Sequence, residues 1–395
     1  FNLNAVLVAD ARDPEAALGR QLLMAMPGMT ESIADAILDW IDTDDDPRDF
    51  GAERSYYSGL STPYEPQNGP LESIDQLLRV RDVTPELLYG LDRNRNFTID
   101  AAEAQTYAIE YVDNTTGSMN RGWVAYLTLR SAERNLRADD TPKIDVNGED
   151  LEELRDQLTE VLDDEQANFI IAFRQGGPYE EDPAAAGEGE TIKNAGSLQF
   201  DFEQGGSVPI NSILDLVGVR TRVVETGQTE RTIVETPFPD EPGAMGFYLP
   251  ILMENLTANP EEVIPGRLNI NQAPRMLLDG ISRALPTALR PEAVEQILAN
   301  RAFEPGTERP EQAYETWILT MGFVTLDEMK QLMPLVTAGG DVYRAQIVGY
   351  YEAEGPYTRL EATIDASTTS PEIVSVHDLT PLGAGFTVEQ LGFSE

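Results

Sequence analysis

The chain has 395 residues, enough for two to four domains that each bury a core. Its 41% apolar content is that of a globular protein, while 69 acids against 28 bases leave a formal charge of −41 spread along the whole length. Such a surface opposes nucleic acid and anionic lipid, attracts divalent cations and suits an extracytoplasmic or high-salt setting, with solubility the simpler use of most of those charges. The absence of cysteine excludes thiol catalysis, disulfides, iron–sulfur clusters and the common structural zinc sites. A single histidine, His377, excludes a His-based hydrolase triad and a multi-histidine metal site, and reads as structural. No stretch approaches the ~20 apolar residues that span a bilayer.

The first element sets a theme. Phe1-Asn2-Leu3-Asn4 alternates apolar with Asn, and Ile144-Asp145-Val146-Asn147 and Leu268-Asn269-Ile270-Asn271 repeat the pattern. Each precedes a run of helical periodicity, so each reads as an extended segment whose last Asn, or a neighbour, caps the next helix. Three such copies point to an internally repeated architecture. The chain begins with Phe inside this pattern, which reads as part of a longer precursor with an upstream portion removed.

Residues 20–42 predict a short helix, a Pro27-Gly28 turn and a second helix with Ile33, Ala36, Ile37 and Trp40 on one stripe. That is a helix-hairpin-helix pattern. Leu71–Leu78 and Thr84–Leu88 predict a second helical pair, with Thr84 as cap and Pro85 at the first helical position. The second copy runs from Gly148 to Phe173 with Leu151, Leu154, Leu158, Val161 and Leu162 on one face, and Ser212–Val219 echoes Asp75–Val80. Between these halves, Gly176–Gly196 is rich in Gly, Ala, Pro and Glu and reads as a mobile loop, and Arg222–Glu235 as a hairpin around Thr226-Gly227-Gln228. In the third copy Ala273-Pro274-Arg275 and Pro291 each open a helix. After Gly339-Gly340, Val342–Tyr351, Tyr357–Ile364 and Glu372–Leu379 predict a three-stranded antiparallel meander, which must pack on a helix to be stable. The chain therefore divides into a first helical module over 1–140, a second over 141–260, a third over 261–340 and the meander over 341–395.

The sharpest chemical motif lies in the first module. Asp92, Asn94, Asn96, Asp100 and Glu103 put oxygen-bearing side chains at EF-hand positions 1, 3, 5, 9 and 12 of a twelve-residue loop, with Thr98 at position 7 and Ile99 at position 8. Position 6 is Phe97 where Gly usually stands, so the sharp turn there carries a steric penalty. Three acids against two arginines leave the loop at about −1, which suits a weak site of the ~0.1–1 mM class. Calcium is the preferred reading and a metal-free polar turn the alternative. A second group, Asp39, Asp42, Asp44, Asp45, Asp46 and Glu53, has the charge for another cation, but a solvated acidic loop is the commoner explanation and the preferred one.

These residues carry a resemblance. Phe1–Asn4, Ala36–Asp42, Asp44–Pro47, Ala52-Glu53 with Tyr56-Tyr57, Leu77–Val80 with Val83–Glu86, and Leu268–Asn271 with Ala273-Pro274 resemble the general secretion pathway protein K family, the large minor pseudopilins of type II secretion. The resemblance covers most of the chain and is densest over residues 31–88. It implies an α+β pseudopilin fold: a long N-terminal helix, absent from this chain, packed on an antiparallel sheet, with inserted sterile-alpha-motif-like or helix-hairpin-helix-like modules. It also implies a non-catalytic role at the tip of the periplasmic pseudopilus beside other minor pseudopilins, with bound structural calcium. Anchoring in the inner membrane would come through the missing helix alone, and secreted cargo or the outer-membrane secretin are further partners. The EF-hand-like insertion and the extra helical module depart from the family pattern. An acidic calcium-binding extracytoplasmic interaction protein is the alternative. Nucleic-acid binding is disfavoured, because Glu31, Asp35 and Asp39 follow the hairpin where Lys and Arg would be needed. A calcium-assisted secreted hydrolase has no supporting motif.

Overall fold

The computed structural model describes residues 1–7, 17–106, 114–179, 192–302, 309–351, 355–387 and 390–391. It is an α+β protein with mainly antiparallel sheets, and the chain divides into two compact units. One comprises residues 1–133, 265–294 and 340–395; the other comprises 134–264 and 295–339.

In the first unit the predicted hairpin forms. Helix Leu18–Met24 leads through Gly28, at φ +70°, into helix Glu31–Ile41, whose N-terminus is capped by Thr30 Oγ1 accepting from Ile33 N–H at 3.3 Å. The expected stripe is inside, but burial reaches Ala34, Leu38 and Ile41 as well, so this helix is central rather than half-exposed. Asp35 and Asp39 are carried inside with it. Asp35 is met by Arg20 Nε at 2.6 Å and by Phe50 N–H at 3.2 Å. Trp40 packs edge-on against Tyr57, which in turn stacks with Tyr64. The Leu71–Leu78 helix is instead a 3₁₀ turn over Ile74–Arg79, because Ser73 and Gln76 form a capping box around a single turn that Val80 ends in extended conformation. Helix Pro85–Tyr89 follows with the Thr84 cap expected of it.

The C-terminal meander matches its prediction closely. Strands Val342–Gly349, Thr358–Asp365 and Glu372–Asp378 pair antiparallel, with Val342 opposite Asp365, Leu360 opposite Asp378, and a register shift between Thr363 and Ile364. His377 lies exposed on the third strand. One face carries Tyr343, Ile347, Ile373 and Val376, all more than half exposed, around Leu360, Ala362 and Ile364. The other face is polar and lies against the 92–103 loop through Gln346 and Arg359.

In the second unit, the second copy forms two helices: Leu151–Thr159, capped by Asp150, and Asp164–Gly176, capped by Asp163. The neighbour Asp150, rather than Asn147 itself, supplies the cap that the repeat pattern leads one to expect. The hairpin forms from strands Arg220–Val224 and Arg231–Val234 with Gly227 at φ +77°. Both ends of the segment read as a mobile loop join this hairpin, Pro178-Tyr179 on one side and Ile192-Lys193 on the other, giving a four-stranded sheet. Residues 180–191 lie outside the described residues. Helix Pro242–Asn255 is apolar enough to bury Met245, Tyr248, Leu249, Leu252 and Met253. In the third copy, helix Arg275–Ala284, which belongs to the first unit, and helix Pro291–Asn300 form as expected. Among the described residues, no helix is long and apolar enough to cross a membrane.

Candidate metal centres

The 92–103 loop folds as its spacing predicts, between helix Pro85–Tyr89 and helix Ala101–Thr106. The sequence predicts helix over 101–112; residues 101–106 are helical and 107–112 lie outside the described residues. Phe97, at the position that favours glycine, has φ +64°, and Arg95 has φ +57°. The oxygen-bearing side chains organise the backbone. Asp92 is buried and accepts from the N–H groups of Asn96 at 3.0 Å and Phe97 at 2.8 Å. Asn94 Oδ1 accepts from Asn96 N–H at 3.0 Å, and Asn96 Oδ1 accepts from both Thr98 N–H and Thr98 Oγ1 at 2.8 Å. Asp100 accepts from Glu103 N–H at 2.9 Å. Glu103, also buried, closes the loop by accepting from Arg93 N–H at 3.0 Å, Asn94 N–H at 3.1 Å and Asp100 N–H at 3.2 Å. Burial holds the Asp92 carboxyl above the usual range, with the Glu103 charge adding to it and the loop N–H groups opposing it. A carboxylate has about four lone-pair sites, so these groups keep acceptor capacity beyond the backbone bonds. The residues named from the sequence thus share one loop.

The acidic segment after Trp40 behaves differently from its expectation. It splits. Asp44, Asp45 and Asp46 are exposed, whereas Asp39, Asp42 and Glu53 bring carboxylate oxygens within 4.8 Å of one another, Asp39 and Glu53 being buried. Helix Glu31–Ile41 delivers Asp39 from its last turn, and Glu53 stands at the start of the short helix Arg54–Tyr57 without capping it. Arg48 Nη1 bridges Asp39 at 2.7 Å and Asp42 at 2.5 Å. Among the described residues, neither Glu53 oxygen has a hydrogen-bond partner in good geometry, and Asp42 Oδ1 is likewise buried and unpaired. Burial, then the charges of Asp39 and Asp42, push the Glu53 carboxyl up to about 7, with the Arg54 N–H giving slight relief. Gly51 permits this crowding: a Cβ there would lie 1.8 Å from Asp39 Oδ2. A solvated loop does not leave three carboxylate oxygens dry and unpaired. Three carboxylates of this kind, short of donors, are the ligand set of a hard divalent cation, and they fit one. The sequence held these residues in view; what it lacked was their burial, signalled only by Gly51-Ala52 between the acids and by the apolar run on both sides of Asp39.

The hairpin at Pro27-Gly28 is turned inward. Pro27 carbonyl accepts from Trp123 Nε1 at 2.8 Å, and Met26 and Met29 are buried. Its surroundings remain acidic.

Residues 1–94 match the family model of Type II secretion system (T2SS), protein K. Over these residues the resemblance to protein K of type II secretion is borne out. The matched stretch takes in the hairpin, the buried acidic centre and the opening of the 92–103 loop. No curated protein and no solved structure matches the chain.

Proposed function

We propose that the chain acts as a non-catalytic minor pseudopilin at the tip of the type II secretion pseudopilus, assembling there with other minor pseudopilins to support export across the outer membrane. The match of residues 1–94 to protein K carries this reading. The meander supports it independently: an antiparallel sheet with Tyr343, Ile347, Ile373 and Val376 exposed on one face has the surface a long apolar helix would cover. In this reading that helix lies upstream of Phe1, anchors the protein in the inner membrane and leaves the described region in the periplasm. Secreted cargo and the outer-membrane secretin are the further partners. Calcium serves as a structural ion, held by Asp39, Asp42 and Glu53 and, in the 92–103 loop, by Asp92, Asn94, Asn96, Thr98, Asp100 and Glu103. The three unpaired carboxylate oxygens favour the first site; the spacing and the turn at Phe97 favour the second. An acidic interaction protein outside the secretion apparatus would share the ions but not the sheet's need for a helix.

The test is secretion in a bacterium that depends on this chain. Ile347→Asp with Val376→Asp, both on the exposed sheet face, should stop export while leaving the soluble region folded. Undiminished export would overturn the pseudopilin role.

A further inference from the structure

Arg359 is a large side chain with 0% exposure, and among the described residues it has no carboxylate ion partner. Its guanidinium instead donates from Nη1 to Asn94 carbonyl at 2.7 Å and from Nη2 to Arg95 carbonyl at 2.6 Å. Gln346 of the neighbouring strand orients it, accepting from Nη2 at 2.9 Å while donating to the same Arg95 carbonyl at 2.8 Å. The segment after the third strand encloses it from the other side: a Cβ on Gly385 would lie 2.3 Å from Nη1, and the Gly385 carbonyl accepts from the Asn96 side chain. Arg344 adds a stacking contact over the Phe97 ring, 4.5 Å from its centroid. Positions 3 to 6 of the loop are thus gripped by residues roughly 250 to 290 positions later in the chain.

The grip has a direction. A peptide unit is planar and trans, so a carbonyl held outward turns the N–H of the next residue inward. Holding Asn94 carbonyl aims the Arg95 N–H, and holding Arg95 carbonyl aims the Asn96 N–H, at the carboxylate of Asp92. Asn96 N–H meets Asp92 Oδ1 at 3.0 Å, and Arg95 N–H also stabilises the ionised Asp92. The same two peptides set Arg95 in the left-handed region, where a non-glycine residue needs support.

We propose that Arg359 is a positioning residue for the 92–103 cation loop, fixing the Asp92 carboxylate through two peptide planes so that ion binding and docking of the C-terminal sheet are linked. This rests on the cation reading of that loop. Linkage is reciprocal: whatever the sheet does for the ion, the ion does for the sheet.

Hydrogen exchange read by mass spectrometry on the whole chain, titrated with CaCl₂, tests both parts. In the unaltered protein calcium should slow exchange in peptides covering 92–103 and also in the 342–349 and 358–365 strands. Arg359→Gln should require roughly 5- to 50-fold more calcium for the same loop protection, with Arg359→Lys recovering part of the loss. Gln346→Ala, a milder change, should shift the midpoint the same way by less. A wild-type calcium midpoint in both Arg359→Gln and Gln346→Ala overturns the positioning role while leaving the loop site standing. If calcium leaves 92–103 unprotected in the unaltered protein and Glu103→Gln changes nothing, the loop site fails and the linkage with it. The 39–57 peptides report the other acidic centre separately.

Discussion

Asn4 and Leu71 hold each other in both directions: Leu71 N–H donates to Asn4 Oδ1 at 2.8 Å and Asn4 Nδ2 donates to Leu71 carbonyl at 2.9 Å. Asn147 and Ile210 make the same clasp at 2.8 Å and 2.9 Å. In both copies the clasped residue lies two positions before a serine, Ser73 or Ser212, that caps a 3₁₀ turn. In all three copies the last Asn also donates its N–H to the Asn or Asp two residues earlier, at 3.1, 2.9 and 2.9 Å. A four-residue sequence repeat therefore encodes a local turn in three places, and the first two copies add a long-range tie. A carboxamide suits the tie because it is at once donor and acceptor in one plane.

Asn147→Asp should cost nearly as much as Asn147→Ala. Alanine leaves the Ile210 N–H and carbonyl without their partner, a loss of about 1–3 kcal/mol. Aspartate keeps the acceptor but sets a second oxygen against the Ile210 carbonyl. Urea unfolding followed by hydrogen exchange at 205–216 should show both variants destabilised. A loss confined to Asn147→Ala would mean that the donor half of the clasp carries nothing.

Phe97 is placed where a side chain is disfavoured by roughly 1–2 kcal/mol, at φ +64°. Phe97→Gly relieves that but forfeits the Arg344 contact, which is worth about 0.5–1 kcal/mol, so stability should change by less than about 1 kcal/mol. Phe97→Val loses the contact and makes the strain worse, because a β-branched residue tolerates positive φ least. A calorimetric difference between Phe97→Val and Phe97→Gly below about 0.5 kcal/mol would contradict this account of the turn.

Gly51→Ala tests the buried acidic centre by geometry alone. Gly51 does not sit at positive φ, so the substitution acts through its Cβ, which would collide with Asp39 Oδ2 at 1.8 Å. The carboxylate must move, and the calcium-dependent rise in melting temperature should fall to less than half. Gly59→Ala is the control, since its Cβ would meet Tyr56 carbonyl at an ordinary 3.4 Å. Equal calcium responses in the two variants would remove Asp39 from the ion site.

What the sequence disclosed and what it hid follow a physical division. The meander, the hairpin at Thr226–Gln228 and the Thr84-Pro85 helix start were legible because each depends on local rules: two-residue alternation, a glycine at positive φ, a cap with proline behind it. The turn at 92–103 was legible because the side chains that shape it are close in sequence. The 3₁₀ form of Ile74–Arg79 was hidden because apolar periodicity over eight residues does not separate a 3₁₀-helix from an α-helix. Burial of Asp39 and Glu53 was hidden for a different reason: carboxylates are seldom buried unless paired, yet only Asp39 is paired, by Arg48, and the close approach of Gly51 to Asp39 is announced by no local pattern. Arg359 was invisible because its partners lie in another part of the chain.

Glu53 offers the sharpest test, since proton and ion compete for the same oxygens. Its carboxyl is raised from 4.5 to about 7 by burial and by the charges of Asp39 and Asp42. A raised carboxyl means that the folded state holds the proton more tightly than the unfolded state. Its contribution is therefore full below about pH 4.5 and lost as pH rises through 7, a change on the order of 3 kcal/mol. In chelator the protein should weaken between pH 5 and pH 8. With calcium the loss should vanish, the ion supplying the positive charge that the proton gave up. Burial also raises the carboxyls of Asp42 and Asp92, so the comparison is with Glu53→Gln, which cannot ionise. That variant in chelator should be more stable than the unaltered protein at pH 8, equal to it near pH 5, and nearly indifferent to calcium at this centre. If Glu53→Gln keeps the full calcium response, or the unaltered protein in chelator is as stable at pH 8 as at pH 5, then Asp39, Asp42 and Glu53 hold no ion and Arg48 alone balances them.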